Sequence, residues 1–179
     1  MKKIISSFYV PLLTLSLLFF SITSCTKRTP TENQIPTPSA FSQVDESILN
    51  QSAHAETVYV PVYSHLTIGE KGILSLRAIL SIRNTSDKES LILSKIEYYD
   101  TNGKLLKNYI QKPVQLEKMA TMEVEISSLD LSGGSGANFV VKWNSTNKIS
   151  SPIIESLMYG ASGPQSFAFI SRGQVIERH

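Results

Sequence analysis

From Thr57 onward the apolar residues recur at every second position, a period that admits strands and leaves no helical stretch of useful length. Ile73 to Arg83 shows it most plainly. Leu74, Leu76, Ala78, Leu80 and Ile82 share one side; Ser75, Arg77, Ser81 and Arg83 share the other, with Ile79 the exception. A slip of one residue would carry both arginines into the core, so the register is well specified. Thr57 to Leu66 alternates Val58, Val60 and Val62 against Tyr59, Tyr63 and His65. Pro61 has no N–H to give a ladder, which predicts an edge strand or a bulge there.

The same pattern continues to the C-terminus. Leu91 to Asp100 sets Ile92, Ile96 and Tyr98 against Lys95, Glu97 and Tyr99. Asn102-Gly103 is a hairpin signal, since both residues tolerate positive φ, and Lys104 to Gln111 is the expected return strand. Val114 and Leu116 lead to a corner at Glu117-Lys118. Met122, Val124 and Ile126 then point inward, with Glu123 and Glu125 outward. Ser132-Gly133-Gly134-Ser135-Gly136 reads as a flexible loop, and Phe139, Val141 and Trp143 as one face of the next strand. Phe167 to Ser171 is a further strand; Pro152 to Tyr159 is strand or short helix. The expectation is an all-β fold, an immunoglobulin-like two-sheet sandwich of about seven to eight antiparallel strands over residues 57–179. The single cysteine, Cys25, allows no internal disulfide, so the apolar core alone must hold this domain.

The N-terminus has a different grammar. Lys2 and Lys3 precede an apolar run from Phe8 to Phe20, broken by Pro11 and too short for the roughly 20 residues of a spanning helix. Ile22-Thr23-Ser24-Cys25 resembles the bacterial lipobox. That resemblance implies a signal peptide over residues 1–24 and a diacylglycerol on the Cys25 thiol. The amino group freed by cleavage would carry a further acyl chain such as palmitate. Residues 25–56 carry Pro30, Pro36 and Pro38 among polar residues and are expected to be a disordered tether. About 30 such residues reach roughly 30 Å as a coil.

Charge excludes some partners. Formal net charge is +2, with 17 basic against 15 acidic residues, and Lys2 and Lys3 account for the excess. The chain without that leader is neutral and of mixed sign, and so lacks the basic footprint of nucleic-acid binding. The three histidines, His54, His65 and His179, fall in the tether, a strand and the terminus, so neither metal nor cofactor is expected. Gly133-Gly134-Ser135-Gly136-Ala137 misses the nucleophile elbow at Ala137, and the same glycines lack the Lys-Ser/Thr end of a phosphate loop. Asp100-Thr101-Asn102-Gly103 begins like a calcium loop, but Gln111 stands where the bidentate glutamate belongs. Asn84-Thr85-Ser86 and Asn144-Ser145-Thr146 read as turn residues.

Six segments, in order, resemble a known family. They are Tyr59 to His65, Leu80 to Thr85, Tyr98 to Asp100 with Gly103-Lys104, Ser132 to Phe139, Pro152 to Glu155 and Ser171 to Gly173. The chain looks like the bacterial domain-of-unknown-function family 3124, often found as small lipoproteins. The resemblance implies an exported, compact, mostly β module; the family has no assigned reaction or site residues.

The resulting expectation is a non-enzymatic, lipid-anchored envelope protein, on the outer membrane or facing the periplasm, that binds a protein or glycan partner. Tyr63 and His65 are candidate contacts on an edge strand open to β-addition. The alternative is small-ligand sensing or transport accessory work, with Asn138 and Arg172 beside the glycine-rich loop. An enzyme of unrecognised type would need His65, Glu155 and Arg172 in one cleft.

Overall fold

The computed structural model describes residues 41–179. The expected signal peptide, Cys25 and most of the expected tether lie outside the described residues. Thirteen strands run through the described part: β1 (Phe41–Gln43), β2 (His54–Pro61), β3 (His65–Ile68), β4 (Gly72–Ser75), β5 (Arg77–Arg83), β6 (Leu91–Tyr99), β7 (Leu105–Asn108), β8 (Val114–Leu116), β9 (Thr121–Ile126), β10 (Asn138–Ser145), β11 (Ile153–Ser162), β12 (Gln165–Arg172) and β13 (Gln174–Arg178). One 3-10 helix, Glu46–Gln51, is capped by Asp45, whose carboxylate accepts from the Ser47 N–H.

The strands form a large sheet in the order β1-β8-β6-β10-β2-β13, with β7 also paired to β6. A second sheet runs β12-β11-β5-β9, and β3 and β4 make a separate hairpin. Every pairing is antiparallel. Both large sheets feed one core. Val58, Val60, Phe139, Val141 and Trp143 from the first meet Leu80, Ile82, Val124, Ile154 and Met158 from the second. The alternation read in the sequence is thus the alternation of burial on two inner faces, a sandwich-like arrangement.

Several expectations move. The fold starts well before Thr57: β1 pairs with β8, and β2 begins at His54, so residues 41–56 belong to the domain and not to a tether. The backbone pairing of Phe41–Gln43 and the capped helical turn satisfy polar groups that the sparse apolar content left unaccounted for. The strand count exceeds seven to eight. Ile73 to Arg83 is not one strand: it breaks at Leu76, where the chain passes from the β3–β4 hairpin to the four-stranded sheet. Pro152 to Tyr159 is strand, within β11.

Strand β6 carries a bulge. Its pairing with β10 shifts between Lys142 and Trp143, so Leu91 and Leu93 face the core before it and Ile96 and Tyr98 after it. Ile92 therefore falls on the opposite face of the sheet from Leu91 and Leu93, where it is still buried. The Ser94 hydroxyl fastens the bulge to the Lys142 carbonyl and the Asn144 side chain.

Strand β2 is not an edge. β13, absent from the sequence reading, pairs with it from Tyr59 to Glu56. The chain crosses from the small sheet to the large one at Gly173, whose N–H donates to the Ile154 carbonyl at 2.8 Å. A β-carbon there would stand 2.7 Å from Val58 and 2.8 Å from that carbonyl, which is why the crossing needs glycine. The Glu56 carboxylate, almost fully buried, accepts from Arg178 Nε at 3.1 Å and ties β13 down.

Candidate functional site

The expected site residues are not brought together. Tyr63 follows β2 and packs on the core, its ring edge-on to Phe169 with centroids 5.9 Å apart. It is part of the sheet-to-sheet packing and not an exposed recognition aromatic. His65 opens β3, with Nδ1 3.1 Å from the Ser64 hydroxyl. That hydroxyl is buried and donates to the Gly134 and Leu131 carbonyls, so the Ser–His pair fastens a loop and offers no accessible nucleophile. Asn138 lies on the large sheet between Tyr99 and Pro61. Arg172 lies on the small sheet opposite Glu155. Glu155 approaches Arg83 at 3.9 Å.

The glycine-rich segment is held, not loose. Thr101 accepts from Gly136 N–H and donates to the Gly133 carbonyl, both at 3.0 Å. Asp100 caps the neighbouring hairpin by accepting from Asn102 and Lys104 N–H at 2.8 Å, so these residues make a turn in place of a calcium loop. Gly103 takes φ 78° there, as the turn requires.

Two features present themselves instead. The first is the outer face of the four-stranded sheet. Ile170, Leu157 and Ile79 sit side by side across β12, β11 and β5. One flanking row is Arg172, Glu155, Ser81 and Glu123; on the other side Tyr159 lies between Ala168 and Arg77. Arg77 pairs with Glu125 at 2.7 Å. Ile170 and Ile153 are more than half and about half exposed, at 58% and 49%. Clefts of about 610 and 600 Å³ share Tyr159, Gly160 and Ser166 and so form one groove, from Ile68 and Ile73 of the β3–β4 hairpin to Leu157 and Ile79. The sequence placed Leu157 and Ile79 on strands but held no sign that their rows align.

The second is a cleft of about 390 Å³ between β7 and the loop that follows β9. Tyr98, Lys107, Tyr109, Ser127, Asp130 and Ser132 line it. Asp130 is fixed by its own loop: one carboxylate oxygen accepts from Ser132 N–H at 3.0 Å and from its hydroxyl at 2.5 Å. Lys107 Nζ lies 4.4 Å over the Tyr109 ring. Tyr98 is 2% exposed, and its hydroxyl has no hydrogen-bond partner. Burial, then the charge of Asp130, pushes the Tyr98 phenol up to about 12; Tyr109 moves in the same direction for the same two reasons. A buried hydroxyl without a partner costs about 1–3 kcal/mol, and phenylalanine would fill the same space without it. Alternation put Tyr98 in the core, but no signal marked Asp130, one polar residue in a polar loop.

Among known proteins, no curated sequence matches the chain. A solved structure from Thermotoga maritima, described as Thermotoga maritima 1070, is similar at 14% identity and a TM-score of 0.38, over 66% of this chain and 92% of that one. Residues 55–176 match the model of the family described as Protein of unknown function (DUF3124). That match takes in nearly the whole β domain and all six segments singled out in the sequence, and the chain belongs to this family.

Proposed function

We propose that the protein is a lipid-anchored envelope component whose immunoglobulin-like sandwich works as a binding module and not as an enzyme. The lipobox-like Ile22-Thr23-Ser24-Cys25 supports the anchor, and two antiparallel sheets over one core support the sandwich. The partner in this reading is a protein docking on the outer face of the four-stranded sheet.

The observation that carries the reading is the continuous groove that ends on Leu157 and Ile79, with the exposed Ile170 beside Leu157 in the same row. Its flanking charges balance in sign, with Arg77 paired to Glu125, Arg83 near Glu155, and Arg172 and Glu123 on the same row, which disfavours a polyanion or polycation and favours an apolar protein segment. A short anchored reach raises the local concentration of such a partner, so a modest interface suffices.

Photo-crosslinking residues placed at Ile170 and Leu157 in intact cells test this. The same adduct should form from both positions and disappear with Ile79→Asp, while a crosslinker at Lys142 on the large sheet gives none. Equal labelling from Lys142, or adducts unaffected by Ile79→Asp, would overturn the docking face.

A small-ligand reading has separate support in the cleft lined by Lys107, Tyr109 and Asp130.

A further inference from the structure

We propose that β12 pairs edge to edge with β12 of a second copy of this chain, in an antiparallel two-fold ladder centred on Phe169. The proposal does not rest on the docking groove, which it leaves open.

Strand β12 is an outer strand of the four-stranded sheet, and among the described residues no other segment hydrogen-bonds to its free side. The two-residue turn at Gly163 and Pro164 makes Ser162 and Gln165 a hydrogen-bonded pair, so Gln165, Phe167, Phe169 and Ser171 turn their backbone groups toward β11. The Gly173 N–H keeps the same phase by donating to the Ile154 carbonyl. Ser166, Ala168, Ile170 and Arg172 therefore present N–H and C=O outward, and all are exposed.

The other edges are guarded. Strand β9 carries Glu123 and Glu125, β13 shifts register between Val175 and Glu177 and ends in charge, and β1 is three residues long. Charge, irregularity and brevity each keep an edge from recruiting a strand. Strand β12 has none of these from Gln165 to Ser171. That run holds no charge and no proline, and its ladder to β11 is unbroken.

The edge is also complementary to itself. Residues opposed across an antiparallel ladder point to the same face, so a two-fold axis must fall on a residue and not between two. On Phe169 it sets Arg172 opposite Ser166 of the second copy, Ile170 opposite its Ala168, and the two Phe169 rings together. Every outward-facing residue then meets one that both donates and accepts. On Ala168 the axis would set Arg172 against Pro164, which has no N–H. On Ile170 it would set Ser166 against Gln174, which has left for the large sheet. The two Arg172 side chains stay at opposite ends. On the outer face the row Ile79, Leu157, Ile170 runs on into Ala168 and Tyr159 of the second copy. A two-fold contact occupies the same edge in both copies, so association closes at a dimer.

The test uses the full chain in native membranes. Cells co-produce one form with Ala168→Cys and one with Ile170→Cys, and the membranes are mildly oxidised. In the proposed register these positions face each other at about 5.5 Å between α-carbons, within the roughly 4.4–6.8 Å of a disulfide. Two copies of one form meet only on a diagonal of roughly 7–8 Å, which is too far. The mixture should give a disulfide dimer in several-fold greater yield than either form alone or than wild type, whose single cysteine is Cys25. In detergent, with micelles in large excess, wild type should sediment as a dimer. Ala168→Pro should weaken that dimer at least tenfold and keep cooperative unfolding, because the N–H it removes faces outward. Ile79→Asp, which disables the docking face, should leave the dimer intact, so the two readings fail separately. Absence of the mixed disulfide, equal yield from single forms and mixture, or a dimer indifferent to Ala168→Pro overturns the proposal. If the cysteines join to a different protein instead, the edge takes a foreign strand and the second-copy assignment is wrong.

Discussion

A β-carbon on Gly133 would stand 1.8 Å from the Tyr98 hydroxyl oxygen. The glycine-rich loop and the core strand β6 therefore meet in van der Waals contact at a polar atom. This explains a glycine that composition alone would assign to flexibility, and it makes the two positions interdependent.

The first expectation concerns Gly133→Ala. The new methyl group meets Tyr98 Oη, and at 2.8 Å the side chain of Ala137, so neither neighbour can yield freely. Overpacking of this kind costs about 1–3 kcal/mol. Urea unfolding followed by Trp143 fluorescence should show the loss, and combination with Tyr98→Phe should recover part of it. A variant as stable as wild type would mean that the loop yields freely.

Tyr98→Phe alone should hold or gain stability, by about 1 kcal/mol, because it removes a buried hydroxyl without a partner. It should also change the alkaline limit. The folded phenol titrates near 12, against 10 for the free group, so folding retains its proton. Stability from this source is complete below about pH 10 and drains as pH rises toward 12, by at most about 3 kcal/mol for a shift of that size. Urea midpoints taken across that window should fall more steeply for wild type than for Tyr98→Phe. Parallel curves would assign the alkaline loss to other groups.

What the sequence disclosed and what it concealed divide along local and non-local physics. Leu80, Ile82, Phe139, Val141 and Trp143 were assigned inward by alternation, and all are fully buried. The turn at Gly103 followed from backbone preference. Alternation cannot see a bulge, so Ser94 reversed the faces upstream of it and Ile92 was misplaced. Nor can it see which sheet a strand joins: Leu76 and Gly173 sit at crossings between sheets inside unbroken patterns. β13 was hidden because only Val175 packs against the core, leaving a strand without an apolar face of its own. The Tyr98–Asp130 cleft joins residues 32 positions apart on different elements, which no spacing rule links. Asn138 and Arg172, though near the glycine loop or the chain end in sequence, went to different sheets.

Removal of residues 174–179 should open the β2 edge that β13 covers. The backbone groups of Glu56 to Tyr59 lose their ladder partners, and Glu56 loses Arg178 beside a nearly fully buried carboxylate. Open ladder edges recruit other chains. The truncated protein should lose about 1–3 kcal/mol of stability and self-associate, which sedimentation at several concentrations resolves. A truncated chain that associates no further than wild type and unfolds with the wild-type midpoint would show that β13 protects nothing.

The proposed anchor rests on Cys25, and Cys25→Ala tests it most directly. Each buried methylene contributes about 0.8 kcal/mol to membrane binding, so two or three acyl chains hold the protein where one would exchange. Among the described residues no helix is long and apolar enough to cross a membrane, so within that part the lipid has no helical substitute. Wild type from native membranes should partition into the detergent phase of Triton X-114, with a mass at Cys25 raised by its acyl groups. Since diacylglycerol attachment precedes cleavage in lipobox processing, Cys25→Ala should keep residues 1–24, and the leader's apolar run then becomes its sole hold on the bilayer. The informative readout is therefore the pair of measurements. Loss of the acyl mass together with retention of the leader supports the anchor. An unmodified thiol in wild type, with the leader either removed elsewhere or intact, removes the lipid from the account and leaves the β domain without its proposed address.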